Sequence, residues 1–207
     1  MNAGVLVKSM IGFLIVLCGC TEDPGTSVVS NPSVSAKQER PATKHGSIAL
    51  EGKEEPFTSF LFKSEAAPLP VAFTTYVPSD MIVEHLQSEV GGAVRFVANF
   101  ENRRQPDAYL EVLFYFDGTD ESKARSLTAK SGKSAGSREF AWSLAEYNTS
   151  YKTAANVRIF GVTALGSHDG RYFRITLHYP EEFGDGFGPR VRSILDEWRW
   201  KDTNKGL

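Results

Sequence analysis

The chain has 207 residues, 41% of them hydrophobic and 12% aromatic, with 23 Lys and Arg against 25 Asp and Glu for a formal charge of −2. That near-balance, with no basic run longer than Arg103-Arg104, argues against nucleic acid as a partner. Cys18 and Cys20 are the only cysteines, which excludes a disulfide-stapled scaffold.

Taken in chain order, the first feature is a short apolar run from Met10 to Leu17 after Lys8, closed by Leu17-Cys18-Gly19-Cys20 and then by polar Thr21-Glu22-Asp23-Pro24. A membrane span needs about 20 apolar residues, so this run is too short and matches the core of a secretory signal. It resembles a bacterial lipoprotein signal with its lipobox, Cys18 standing where Ala or Ser is usual. The resemblance implies that residues 1–19 are removed and that Cys20 carries a lipid anchoring the protein to a membrane; an ordinary signal peptide is the alternative. Removing residues 1–19 takes away Lys8 alone, which leaves 22 basic against 25 acidic residues and a charge of −3. Thr21, rather than Asp, follows the cysteine, which implies the periplasmic face of the outer membrane in a diderm bacterium. With Cys18 lost and Cys20 modified, no free thiol is left.

From Thr21 to Pro56 there is no aromatic residue, and prolines punctuate a Ser/Thr-rich stretch. Such a segment buries too little apolar surface to offset its ordering entropy, so residues 20–56 are expected to form a lipidated, flexible tether. Its mean reach would be roughly 30–35 Å. The globular domain is then expected over residues 57–203.

Within that domain, Phe57–Lys63 and Val71–Val77 read as strands. Met81–Glu89 alternates as a strand, although Ser79 could cap a helix there, and Gly91-Gly92 turns it into Ala93–Phe100. Ala108–Phe116 places Leu110, Val112, Phe114 and Phe116 on one face and Tyr109, Glu111, Leu113 and Tyr115 on the other. The second face is half apolar, which predicts a central strand covered on both sides. Thr119 is placed to cap a helix from Asp120 to Lys130, and Ser131–Ser137 reads as a loop. Phe140, Trp142 and Leu144 alternate as a further strand. Val157–Leu165 and Arg171–Tyr179 suggest a hairpin across Gly166–Gly170.

Gly188-Pro189 predicts the start of a last helix, with Val191, Ile194, Leu195 and Trp198 on one stripe. Trp200, about 200° further round that helix, is expected to be more exposed than Trp198. The sum is an α+β domain: an antiparallel sheet of about six or seven strands covered by helices. Tyr172–Pro180 followed by Ile194–Trp198 resembles the last strand and helix of the PsbP-like α/β/α sandwich. That resemblance implies a binding or accessory role and carries over no catalytic residue.

Candidate chemistry is sparse. Gly132-Lys133-Ser134 mimics the end of a phosphate-binding loop, but the first glycine of the motif would fall at Leu127, and a solvated loop explains it better. Glu181–Gly188 is acidic and Gly-rich without the alternating oxygen ligands of a calcium loop; a turn into a capped helix accounts for it. His168-Asp169 could be half of a serine-type triad, yet no Gly-x-Ser-x-Gly elbow supplies the nucleophile. His45, His85 and His178 lack metal-ligand spacing. The expectation is therefore no enzyme, no cofactor and no metal: a non-catalytic envelope lipoprotein that binds a protein partner or assists a complex. The alternative is a carrier of a small apolar ligand in a pocket between sheet and helices.

Overall fold

A computed structural model describes residues 39–50, 52–66 and 69–207. The expected signal peptide, Cys20 and the first part of the expected tether lie outside these residues. The compact unit runs over Glu39–Leu207. Its strands are β1 Thr43–Leu50, β2 Lys53–Lys63, β3 Phe73–Pro78, β4 Met81–Gln87, β5 Gly91–Phe100 and β6 Arg103–Tyr115. After helix α1, Glu121–Ala129, come β7 Lys133–Ser134, β8 Ala145–Lys152, β9 Arg158–His168 and β10 Arg171–Pro180. Helix α2, Gly184–Asp196, and β11, Arg199–Trp200, end the fold.

The strands form two antiparallel sheets, one of four strands in the order β1-β2-β3-β11 and one of seven in the order β4-β5-β6-β10-β9-β8-β7. This is a β-rich sandwich. The α+β expectation, a sheet covered by helices in a PsbP-like α/β/α sandwich, is overturned. The described residues hold only two α-helices, of 9 and 13 residues, too little to cover either sheet. The second layer is the four-stranded sheet, half of which comes from sequence that reads as tether. β1 and the start of β2 are polar because they pair as a hairpin that projects beyond β3, which joins β2 only from Ser59 onward. At Pro56, therefore, β2 has a strand on one side only, the setting in which a proline is tolerated in a sheet.

The core lies between the sheets. Phe62, Phe73 and Val77 of the smaller sheet meet Phe96, Val112, Phe114 and Phe173 of the larger, and Phe187, Val191 and Ile194 of α2 join them. α2 lies against β1 and β3 of one sheet and β10 of the other. The apolar stripe is where periodicity places it, but the helix begins at Gly184 and contains Pro189. A 3-10 turn over Glu181–Phe183 leads into it, so the glycines that read as a breaker are helical. The chain leaves the helix at Glu197, and Trp200 pairs with Phe73 in β11. In extended chain, residues two apart point the same way, so Trp198 and Trp200 both face the core, 0% and 4% exposed. The expected exposure of Trp200 is thereby corrected.

Other local differences have equally local causes. Asp120, not Thr119, caps α1, accepting from the Lys123 amide at 2.8 Å. Phe140–Leu144 is a turn rather than a strand, because the buried Glu146 carboxylate accepts from the amides of Glu139 at 2.7 Å and Phe140 at 2.8 Å. Lys133-Ser134, inside the expected loop, pairs with β8. The β9–β10 turn is Asp169-Gly170, both at positive φ (48° and 72°), the geometry that a two-residue hairpin favours. Gly91 lies inside β5 rather than in a turn, and a Cβ there would come within 1.8 Å of the Phe114 carbonyl oxygen.

The segment before β1 is fastened down. Tyr76 donates its hydroxyl to the Pro41 carbonyl at 2.7 Å, and the Arg40 guanidinium lies 4.6 Å above the Tyr76 ring. Arg40 also donates to Glu197 at 2.8 Å, and Lys44 pairs with the same carboxylate. Burial pushes the Glu197 carboxyl up, but the hydrogen bond from Lys44 and the charges of Lys44, Arg40 and Arg199 outweigh it and hold it below the usual range.

Trp198→Ala and Trp200→Ala should each cost about 3–5 kcal/mol in chemical unfolding, against less than about 0.5 for exposed Phe116→Ala. A small effect at Trp200 alone would contradict its packing in β11. For Glu197, the unfolded chain binds its proton at higher pH than the folded one. Its contribution is thus present above the ordinary carboxylate range and lost as pH falls through the lowered value. Glu197→Gln should cost at most about 1 kcal/mol at neutral pH and make unfolding midpoints less steep in acid, which a midpoint series from pH 7 to pH 3 will read.

Candidate functional site

The two faces of the seven-stranded sheet differ in chemistry. Its inner face is core. On the outer face, α1 covers one end, where Ala93, Leu113, Tyr115 and Leu165 pack with Ala124. The strand registers then place a polar row beside that apolar end: Glu84, Arg95, Glu111, Thr176, Thr163 and Tyr147, running from β4 to β8. The next row holds Val97, Tyr109, His178, Gly161 and Thr149.

These side chains are joined. Arg95 donates to Glu111 Oε2 through Nη2 at 2.6 Å and Nε at 3.2 Å, and its guanidinium lies 4.1 Å above the Tyr109 ring. The same tyrosine ring stacks on His178, 4.8 Å between centroids at 16°. His178 Nδ1 lies 2.9 Å from the Asp107 carbonyl, which can only accept, so Nδ1 carries a proton. In the neutral ring Nε2 then accepts from the Tyr151 hydroxyl at 3.1 Å. Thr163 donates to Thr176 at 3.3 Å, and Arg104 grips Glu84 at 2.7 Å. Burial pushes the Tyr109 hydroxyl up, opposed by the charge of Arg95. The Arg104 hydrogen bond holds the Glu84 carboxyl below its usual range. Together these groups offer hydroxyls, an imidazole and guanidinium N–H groups, a surface for hydrogen bonding and ion pairing in which the Tyr151 hydroxyl is the one held by a histidine nitrogen.

The candidates read from sequence are scattered. His168 Nε2 contacts both carboxylate oxygens of Asp202 at 2.9–3.0 Å rather than its neighbour Asp169, and its ring stacks on Trp200 at 4.0 Å. His45 lies 3.0 Å from the Thr58 hydroxyl, and His85 stacks on Phe62 at 6.3 Å. Glu181–Gly188 forms the 3-10 turn and the start of α2. Among the described residues no group of three or more His, Cys, Asp or Glu side chains could hold a metal ion. An open cleft of about 350 Å³ lies between α2 and the 139–142 turn, with Phe140, Trp142, Leu195 and Leu207 in its walls and Glu139, Arg192 and Asp196 at its polar side. The polar row itself escapes a sequence reading. The one signal was a charge inside each of three apolar strands, Arg95, Glu111 and Arg174, whose alignment depends on register. No protein-family model and no curated protein sequence matches the chain.

Glu111 is the hub of this row. Glu111→Gln should destabilise the domain by about 1–3 kcal/mol, because two guanidinium groups lose their shared counter-charge. A double-mutant cycle with Arg95→Met should return a coupling of about 0.5–3 kcal/mol; additive effects would mean that the row is decoration.

Proposed function

We propose that the protein is a non-catalytic binding or accessory module, held through lipid on Cys20 at a bacterial envelope membrane, on the periplasmic face of the outer membrane. The lipobox resemblance and Thr21 support the address. The observation that carries the binding role is the outer face of the seven-stranded sheet, where Arg95, Tyr109, Glu111 and His178 are pre-arranged on rigid strands beyond the reach of α1. Small-molecule sites are concave and largely apolar, whereas a flat polar–aromatic face suits a protein partner. Side chains already held by neighbours lose little entropy on docking. The runner-up role, carrying a small apolar ligand, draws on the cleft beside α2, whose mixed walls and openness suit it less.

Two measurements test the reading. Cys20→Ala should abolish fatty-acid labelling and release the protein from the membrane fraction; equal labelling of mutant and wild type would sink the lipoprotein assignment. A photo-cross-linker at Tyr151, 48% exposed on the outer face, should capture one dominant partner in cells, and the same probe at Phe60 of the other sheet should not. Co-purification of an apolar ligand with the delipidated protein would instead favour the carrier.

A further inference from the structure

The apolar row under α1 contains one charge. By register it runs Leu86, Ala93, Leu113, Arg174, Leu165, Ala145. Arg174 is 22% exposed, and its Nε is buried without a hydrogen-bond partner. Its one ion contact among the described residues is a long one, 3.5 Å from Nη2 to Glu111 Oε1. The other oxygen of Glu111 is already held by Arg95 at 2.6 Å. Two guanidinium groups therefore share one carboxylate. A largely buried cation is costly unless paired and hydrogen-bonded, and arginine's planar fork matches a carboxylate two bonds at a time.

We propose that Arg174, with Arg95 beside it, receives a carboxylate from an acidic segment of a protein partner lying across the outer face of the seven-stranded sheet. This rests on the binding-module reading above and names the chemistry of its partner. The local charge sets the choice. Arg104 and Glu84 neutralise each other, whereas Arg95 and Arg174 share the single carboxylate of Glu111, an excess of one positive charge at that point. One surplus charge suits a single side-chain carboxylate; an anionic bilayer or a phosphate dianion calls for a larger basic excess. The polar row crosses six strands, about 24 Å at 4.8 Å per strand, the span of an extended segment. Tyr151 and Tyr147 supply hydroxyl edges along it.

The test uses the full lipidated chain in detergent micelles, labelled with ¹⁵N-arginine, and four probes: an alternating Glu/Ala decapeptide, its Gln/Ala counterpart, inorganic phosphate and phosphatidylglycerol doped into the micelles. The Glu peptide should shift the Arg174 and Arg95 Nε–H resonances, and the Gln peptide should leave them in place. Arg174→Gln should weaken the Glu peptide at least tenfold and Arg174→Lys should weaken it less; the wild-type resonances decide the matter should a variant fail to fold. Equal response to both peptides, a larger shift of the Arg174 and Arg95 resonances with phosphate or phosphatidylglycerol than with the Glu peptide, or Glu-peptide binding unchanged in Arg174→Gln would each overturn the proposal. In cells, a Tyr151 cross-link that survives Arg174→Gln would leave the binding module standing and defeat the acidic partner. No Tyr151 cross-link in wild-type cells, together with an intact Glu-peptide response in vitro, would keep the carboxylate site and remove the accessory role.

Discussion

The stacking of Trp198 on Phe73, 3.7 Å between ring centroids at 14°, is the contact on which the rest of the fold depends. Phe73 begins β3 in the smaller sheet, and Trp198 follows α2. The same phenylalanine pairs through its backbone with Trp200, whose ring meets Phe73, Phe114 and Phe173 edge-on or tilted. Three elements far apart in sequence thus converge on one aromatic cluster, and both sheets contribute to it. Such pairs are worth about 0.5–1.5 kcal/mol each beyond the area they bury. That offsets the cost of the Trp198 indole N–H, buried here without a hydrogen-bond partner.

From this cluster follows the division of labour in the larger sheet. Because the inner face is committed to the sandwich, only the outer face can present side chains to another molecule. α1 is short and shields one end of it, where Tyr115 bonds with Thr128 of the helix at 2.8 Å. The remaining rows carry polar groups, Glu111 and Thr163 among them buried, and these are ordered because Arg95 links Glu111 to Tyr109 and Tyr109 stacks on His178. The result is a preformed surface whose hydroxyl, imidazole and guanidinium groups are held in place by one another.

The two ends of the described chain are tied to the same region. Arg40 and Lys44 converge on Glu197 at the end of α2, while His168 at the end of β9 holds Asp202 just after β11. A strand-forming segment before residue 57 therefore belongs to the domain. Its polarity reflects a hairpin that projects past its neighbours, so its side chains have little to bury against.

Local pattern carried much of the strand content. The alternation read over Met81–Glu89, Ala93–Phe100, Ala108–Phe116 and Arg171–Tyr179 falls largely inside strands, and the stripe through Val191 and Ile194 inside α2, because both follow from short-range burial that a sequence window reports. The lipobox resemblance is equally local, a matter of consecutive residues. Tertiary structure decided what lies across the layers. It set β1 and the start of β2 as strands despite their polarity, ended the helix at Asp196 and put Arg199-Trp200 in a strand, and replaced a helical cover by a second sheet. It also assembled the outer row, since Arg95, Glu111 and Arg174 meet only through the registers of β5, β6 and β10. Backbone pairing between distant segments is chosen by the packing of the whole, so a window of neighbouring residues holds no record of it.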